Sequence, residues 1–437
     1  MRVGLVSLQF EATATGGGGV HVNKVAENLT VLGHQVTVLS IHTNKTLGGA
    51  ALGVGRRPFS VQRRDGLEVV RFLIEEKIDQ PYVGEKEAEL ARIRDFCDAV
   101  AGWLSARQER FDVVHLHGHH LIPGYLAKEL KGCDFGVVST IHYLESTLEG
   151  LSHYRISSES LAQMKNWEAM GRFADALVVI SPGMQRDFFR LLDELGIDPA
   201  PVEPKVHLVS SGIDEASLLP LKTIRDRLAA RPEPVEVVAY ARLDPSKGME
   251  FAIQAAAEAT AHTRCPFRLT VAGIPIPGYL DVLEREAALA RMRVPITIRT
   301  FEAIFKPAER DAFLDQFHIY LFPSLREPFG ITLIEAGARG LIVVSTDAVG
   351  PHYILDDTDA REMPWGRLAA CGILASRTDD PSAALAQNLG RALAWALEHW
   401  DQSAARALAF RARIQTRYTW SQVAHEYLAV YREVRSG

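Results

Sequence analysis

The sequence predicts an α/β protein made of two doubly wound, Rossmann-like parallel-sheet domains in tandem, followed by a helical end. Three observations lead there. Short β-rich runs alternate with amphipathic segments along most of the 437 residues, the pattern of βα units around parallel sheets. The alternation pauses at the polar, proline-closed segment LKTIRDRLAARPEP (221–234) and then restarts. From about 381 onward the pattern is wholly helical.

In the first half the strands read RVGLVSL (2–8), QVTVLS (35–40), LEVVRFL (67–73), DVVHLH (112–117), GVVSTIH (136–142), ALVVIS (176–181) and VHLVSS (206–211), with helical patterns such as 19–32 and 157–173 between them. The second half repeats the scheme with VEVVAYARLD (235–244), FRLTVAG (267–273), ITIRTF (296–301), IYLFPS (319–324), LIVVST (341–346) and GILAS (372–376). In the closing RYTWSQVAHEYLAVYREV, Trp420, Val423, Tyr427 and Val430 recur at helical spacing and form an apolar face that must be buried. The expected domains are therefore 1–220 and 221–416, with 417–437 a terminal helix that returns to the first domain.

With 47% hydrophobic and 23% charged residues, the chain can bury substantial cores as an ordinary globular protein. Its 48 basic and 54 acidic residues give a formal charge of -6, so no global basic field draws it to nucleic acid or anionic lipid. Any anionic ligand must be held locally. Four dispersed cysteines (Cys97, Cys133, Cys265, Cys371), without a CxxC pair, argue against a zinc ribbon or a disulfide framework. No stretch has the length and apolarity of a signal h-region or a membrane span. A cytoplasmic location is expected, without membrane association, and a homodimer is compatible with the sequence.

In open parallel sheets, ligands sit outside the carboxyl ends of the strands, so the residues following each strand carry the chemistry. After the first strand, EATATGGGGVHVNKV brings Gly16, Gly17, Gly18 and Gly19 to the start of a helix. Such a loop lets backbone N–H groups approach an anion at the positive end of a helix, although a plain surface loop would read the same way. It is a poor dinucleotide fingerprint, because His21 stands where G-x-G-x-x-G requires glycine. In YARLDPSKG, Arg242 ends a strand and Lys247 opens the next helix; the pair could hold a diphosphate or simply be solvated cations. In REPFGITLIEAG, Glu327 follows a strand and Glu335 lies about a turn inside the next helix. The amides of Gly330, Ile331 and Thr332 would face a ligand there. HLHGHH (His115, His117, His119, His120) invites a metal reading, but no carboxylate or thiolate lies at ligand spacing nearby, and no metal site is expected. Asp357 and Asp359, in DTD, read as a surface turn.

SLREPFGITLIEAGARG resembles the E-x7-E signature of retaining nucleotide-sugar glycosyltransferases of the GT-B fold, in particular glycosyltransferase family 4. The glycine run, HLHGHHLIPGYLAKEL, TIHYLEST, ADALVVISPGM, VSSGID, ARLDPSKG and YTWSQVAHEYLAVY follow in that family's order, so the resemblance covers almost the whole chain. It implies two domains facing across a cleft. It also implies that Arg242 and Lys247 bind the donor diphosphate, that Glu335 takes the ribose hydroxyls, and that Glu327 and His142 reach the donor sugar. By the same resemblance Phe329, Gly330, Ile331 and Thr332 complete the donor contacts with the glycine run, Gly17 to Gly19, while His117, His119 and Tyr143 line the acceptor side. The two glutamates are then a clamp on a nucleotide sugar, not an acid/base pair. STDAVGPHYIL departs from the family pattern, with Val349 where a Gly-Gly pair is usual and Tyr353 where an acidic residue is common, which leaves the donor sugar open.

The function implied is transfer of a glycosyl group, with retention, from a UDP-, GDP- or ADP-linked sugar to a small soluble acceptor such as a sugar phosphate, cyclitol, polyol or natural-product intermediate. No cofactor is expected beyond this co-substrate, and Mg2+ is not expected as a fixed ligand. The helical pattern at 85–108 mixes charges and reads as a solvated face, not a lipid-facing one. The rival readings are a nucleotide-sugar 2-epimerase and a non-catalytic nucleotide-sugar-binding protein, with a lysine-cofactor phosphorylase weaker because the chain is short for one.

Overall fold

The computed structural model describes residues 1–11, 17–43, 59–74, 86–107, 110–118, 121–147, 156–302, 305–356, 360–377 and 383–436. The chain divides into two compact units. One is Met1–Ser211 with Trp420–Gly437, and the other is Gly212–Thr419. The division lies before the polar segment 221–234. That segment carries a helix, Leu221–Leu228, whose Ile224 and Leu228 are buried in the second unit's core.

The first unit has strands β1 (Arg2–Val6), β2 (Gln35–Ile41), β3 (Phe59–Arg64), β4 (Leu67–Phe72), β5 (Val113–Leu116), β6 (Gly136–Ile141), β7 (Ala176–Val179) and β8 (Val206–Leu208). They form one sheet in the order β3-β4-β2-β1-β5-β6-β7-β8. All pairs are parallel except β3 with β4. The central strands are apolar on both faces, as a sheet covered by helices on each side requires. One core holds Phe96, Phe72, Leu116, Met164 and Trp167; the other holds Leu5, Val22, Leu29, Val138 and the terminal helix residues Trp420, Val423, Tyr427 and Tyr431. The helix Trp420–Ser436 thus belongs to the first unit, and the apolar stripe read from its sequence is what it buries.

The second unit has β9 (Val235–Tyr240), β10 (Phe267–Gly273), β11 (Ile296–Thr300), β12 (Ile319–Phe322), β13 (Ile342–Thr346), β14 (Arg361–Met363), β15 (Gly366–Ala369) and β16 (Gly372–Ala375). Its order is β11-β10-β9-β12-β13-β16-β15-β14, parallel as far as β16 and antiparallel beyond. In each sheet the chain reverses its direction of winding at the first strand of the unit. β1 lies between β2 and β5, and β9 between β10 and β12.

Three strands escaped the sequence reading. β3 has one half-buried residue and five exposed ones, so no apolar run marks it. Its signal was the Asp65-Gly66 turn, both residues at positive φ (43° and 80°), which closes the hairpin to β4. β14 and β15 are three and four residues long at the sheet's edge, too short for a period of two to register. The helix expected over 157–173 is split into an α-helical Ser158–Ala169 and a 3-10 turn, Met170–Phe173.

Gly124, in the helix Leu121–Glu129, is a contact point between layers: a Cβ built there would meet the Trp167 carbonyl oxygen at 1.9 Å. Gly124→Ala should therefore push two helices apart and lower the first unit's stability by about 1–3 kcal/mol, read as a shift in urea midpoint. An unchanged midpoint would show that the two helices are not held this closely.

Candidate active site

The second unit's site is built by two loops that leave the carboxyl ends of neighbouring parallel strands. β9 leads into Arg242, Asp244 and the 3-10 turn Pro245–Lys247, after which the helix Met249–Ala259 begins. β12 leads into Pro323, Arg326 and Glu327, after which the helix Ile331–Ala338 begins. Because β9 and β12 pair in register (Ile319 with Val237, Tyr320 with Val238), the loops emerge side by side. They are also stitched together. Leu325 N–H donates to the Ser246 carbonyl at 3.1 Å, and Gly248 (φ 62°) passes so close to Pro323 that a Cβ would lie 2.7 Å from its carbonyl oxygen.

Asp244 organises the first loop. Its carboxylate accepts the Ser246 N–H at 2.9 Å and the Ser246 hydroxyl, and takes the Arg242 Nε–H at 2.5 Å. Burial pushes this carboxyl up, but Arg242 and Ser246 outweigh it and hold the group below the ordinary aspartate value. Arg242 itself is 62% exposed, so its remaining donors face outward. Lys247 Nζ donates to Glu327 Oε2 at 2.8 Å, with the side chains 20% and 13% exposed. Two residues 80 apart in sequence are thus an ion pair across the two loops.

Glu335 sits in a different pair. Arg310, from the helix Pro307–Leu314, donates to Glu335 Oε1 at 2.8 Å, to Asp311 Oδ1 at 2.7 Å and to the Ser217 hydroxyl at 2.8 Å. Burial raises the Glu335 carboxyl above its usual range, and Arg310 opposes that rise. Phe329 is buried edge-on against Tyr418 (centroids 5.7 Å apart), so its side chain is withheld from a ligand. Gly330 adopts φ 114° as the cap of its helix, with Ile331 and Thr332 in the first turn. The Thr332 hydroxyl is hydrogen-bonded to Tyr320. At the family departure, Val349 opens the helix Val349–Leu355, and the retained Gly350 donates to the Glu327 carbonyl at 2.9 Å. The structure therefore gathers Arg242, Lys247, Glu327, Gly330, Ile331, Thr332 and Glu335 at one edge of one sheet.

In the first unit, Gly17, Gly18 and Gly19 form the first turn of the helix Gly17–Val31. His117 follows β5, and His142 and Tyr143 follow β6. His117 is wholly buried: its Nε2 meets His115 Nδ1 at 3.1 Å and its Nδ1 meets His142 Nε2 at 3.4 Å. His117, expected on the acceptor side, has both ring nitrogens engaged by other histidines. The reason is the strand's period of two, which puts His115 and His117 on one face. Above that face lies the terminal helix, whose Tyr431 hydroxyl meets His115 Nδ1 at 2.6 Å. Tyr143 is half-buried. His119, Gly16, Asp357 and Asp359 lie outside the described residues. His21 joins the group. Its Nε2 meets the Tyr427 hydroxyl at 2.8 Å and its Nδ1 the Ser211 hydroxyl at 3.0 Å. One ring nitrogen from each of His21, His117 and His142 lies within 4.8 Å of the others.

Sequence reasoning passed over Arg310 and Asp244, and took His21 only as a break in a glycine pattern. KPAERDAF reads as an ordinary exposed first turn, and nothing local marks Arg310 as the partner of a residue 25 positions away.

The family model described as "Family 4 Glycosyltransferase in conflict systems" matches residues 77–427. The chain belongs to glycosyltransferase family 4. This family 4 enzyme is 24% identical, over 100% of its length and 96% of the relative's, to a glycogen synthase of Mycobacterium tuberculosis. Its fold is GT-B. The sucrose-phosphate synthase of Thermosynechococcus elongatus matches at a TM-score of 0.71 and 18% identity, covering 100% of this chain and 99% of the other. Anabaena HepE, solved in complex with UDP-glucose, matches at 0.63 and 15%, covering 100% and 98%. The chain is a hexosyltransferase that acts on nucleotide sugars. Among the described residues no helix is long and apolar enough to cross a membrane.

Breaking the Arg310 pair in this glycosyltransferase should be costly in a pH-dependent way. Arg310→Leu is expected to destabilise the second unit by about 3 kcal/mol near neutral pH, because it leaves a carboxylate without its cation. Glu335 then acquires a still higher folded pKa. A raised group contributes its stability below its unfolded pKa and loses it as pH rises through the folded value, so the deficit should shrink toward pH 5 and grow toward pH 8. Urea midpoints at the two pH values check this; an equal deficit at both would mean that packing, not charge, is lost.

Proposed function

We propose that this glycosyltransferase moves a hexosyl group, with retention of anomeric configuration, from a UDP-, GDP- or ADP-linked sugar to the hydroxyl of a small soluble acceptor such as a sugar phosphate or cyclitol. The observation that carries the reading is the stitched pair of loops at the carboxyl ends of β9 and β12, with Arg242 and Lys247 on one and Glu327 on the other. A diphosphate at this edge would meet a guanidinium with free donors, an ammonium, and the N–H groups that open the helix Ile331–Ala338. Glu335, anchored by Arg310 through Oε1, keeps Oε2 for ribose hydroxyls. Glu327 supplies a carboxylate to the donor sugar near its anomeric carbon.

In this reading the chemical problem is the departure of a diphosphate while the anomeric carbon gains positive character. The bond from that carbon to the β-phosphate oxygen breaks, and the acceptor oxygen bonds to the carbon on the same face. The acceptor's proton passes to the departing phosphate oxygen, so no separate carboxylate base is needed. Arg242 and Lys247 offset the growing negative charge from fixed positions, and no fixed Mg2+ is assigned a part. Glu327 is held by Lys247 as an electrostatic partner of the sugar rather than as a nucleophile. The soluble acceptor is supported by the helix Lys86–Ala106, whose Lys86 is spent on Glu89 and Glu145 within the protein rather than offered to a lipid surface.

Two measurements test the reading. A saturating donor nucleotide should stabilise the chain by about 2.7 kcal/mol at 100 times its dissociation constant, and a panel of UDP-, GDP- and ADP-sugars should single out the base. Lys247→Ala should lower turnover about a hundredfold, as expected when one preorganised cation is removed from a leaving group. Wild-type turnover in that variant would refute the role of Lys247, and stabilisation by none of the three donor classes would refute the substrate class.

A further inference from the structure

The first unit holds a cluster of three imidazoles, of which the family resemblance engages only His142 with the donor sugar. His21, in the first helix, and His117 and His142, at the ends of β5 and β6, converge at the carboxyl edge of the sheet where β1 separates β2 from β5. This is the edge at which open parallel sheets take their ligands. All three rings are buried, with His21 and His117 at 0% exposure and His142 at 7%. We propose that His21, His117 and His142 form a three-histidine site for a divalent cation of the zinc type, with a fourth position left for water.

The geometry supports this in two ways. First, one ring nitrogen of each histidine lies within 4.8 Å of the other two, and His117 Nδ1 stands 3.4 Å from His142 Nε2. That is long for an N–H hydrogen bond, but it is the separation of two ligands on a tetrahedral ion with metal–nitrogen bonds of about 2.1 Å, for which about 3.4 Å is expected. His21 closes on the ion by ring rotation from within 4.8 Å, giving up one of its two hydroxyl partners, Ser211 or Tyr427. Second, the outward nitrogens are already held, as ligating histidines require. His117 Nε2 meets His115 Nδ1 at 3.1 Å, and His115 in turn meets the Thr140 hydroxyl at 2.6 Å. Whichever nitrogen His21 offers, the other keeps a partner, the Ser211 hydroxyl at 3.0 Å or the Tyr427 hydroxyl at 2.8 Å.

The donor set also selects the ion. Three neutral nitrogens with no carboxylate are poorly suited to Mg2+ or Ca2+, which take oxygen ligands, and well suited to Zn2+. The bound ion would tie the first helix to the ends of two strands, a clamp the sequence reading could not see because His21 lies 96 residues before His117.

Untagged full-length protein, stripped with EDTA and desalted, is titrated with ZnCl2 alone, and its metal content and thermal midpoint are measured. About one Zn2+ per chain should be retained, with a raised midpoint, and Co2+ in its place should give the intense visible absorption of tetrahedral coordination. His117→Ala should weaken zinc binding by at least about a hundredfold, more than the loss of an outer partner costs. Should that variant fail to fold, His142→Asn, at the less buried position, serves the same purpose. His262→Ala, at an exposed histidine, should bind as the wild type does. Failure to retain zinc, retention undiminished in the His117 or His142 variant, or an octahedral cobalt spectrum would overturn the proposal. None of these outcomes depends on the donor site, because no sugar nucleotide enters the measurement.

Discussion

The constraint on which the rest depends is the reversal of winding at the first strand of each sheet. In the second unit β9 must pair with both β10 and β12, so the loops after β9 and β12 leave from the same edge with nothing between them. That adjacency is a property of backbone pairing, and it brings together residues 80 positions apart. Lys247 and Glu327 can then meet only if each loop turns sharply. Gly248, with φ 62° and no room for a Cβ beside the Pro323 carbonyl, and Gly330, with φ 114°, provide the turns. The first unit repeats the device. β1 stands between β2 and β5, and the edge it opens is where His21, His117 and His142 converge. One topological rule applied twice gives a charged edge in one unit and an imidazole-lined edge in the other.

Much of this was legible before any coordinates. The central strands announce themselves because both of their faces are buried, so they read as apolar runs, broken in β5 only by His115. The family 4 motifs ARLDPSKG and REPFGITLIE could be recognised because each is short and lies on a single strand–loop–helix corner. What stayed hidden has a common cause. β3 carries a polar surface because it is an edge hairpin, so its period is silent and only Asp65-Gly66 betrays it. Arg310 looks like an exposed helix residue until the fold lays it on Glu335. The histidines of the first unit were read along the chain, as HLHGHH, whereas the fold selects one of them and joins it to two from other elements. Long-range pairing of single polar residues leaves no local pattern, and the pattern is what sequence reading uses.

The two glutamates of the signature are paired in physically different ways, and the difference suits the two tasks proposed for them. Arg310 is fixed by donors to Glu335, Asp311 and Ser217, all close to buried, so Glu335 is set in one place with one oxygen committed. A ribose is a neutral ligand whose hydroxyls need a stationary acceptor, and a stationary acceptor costs the least reorganisation on binding. Lys247 instead reaches Glu327 as a flexible ammonium from a one-turn loop. Two unit charges about 4 Å apart attract by about 4 kcal/mol at an effective dielectric of about 20. A diphosphate bound as proposed would compete for this lysine on at least equal terms with a single carboxylate, and would gain further as charge builds on the leaving oxygen. In the proposed reading, an ammonium that Glu327 holds there, without the forked bonds that would lock a guanidinium, can follow the charge of the leaving phosphate as it develops.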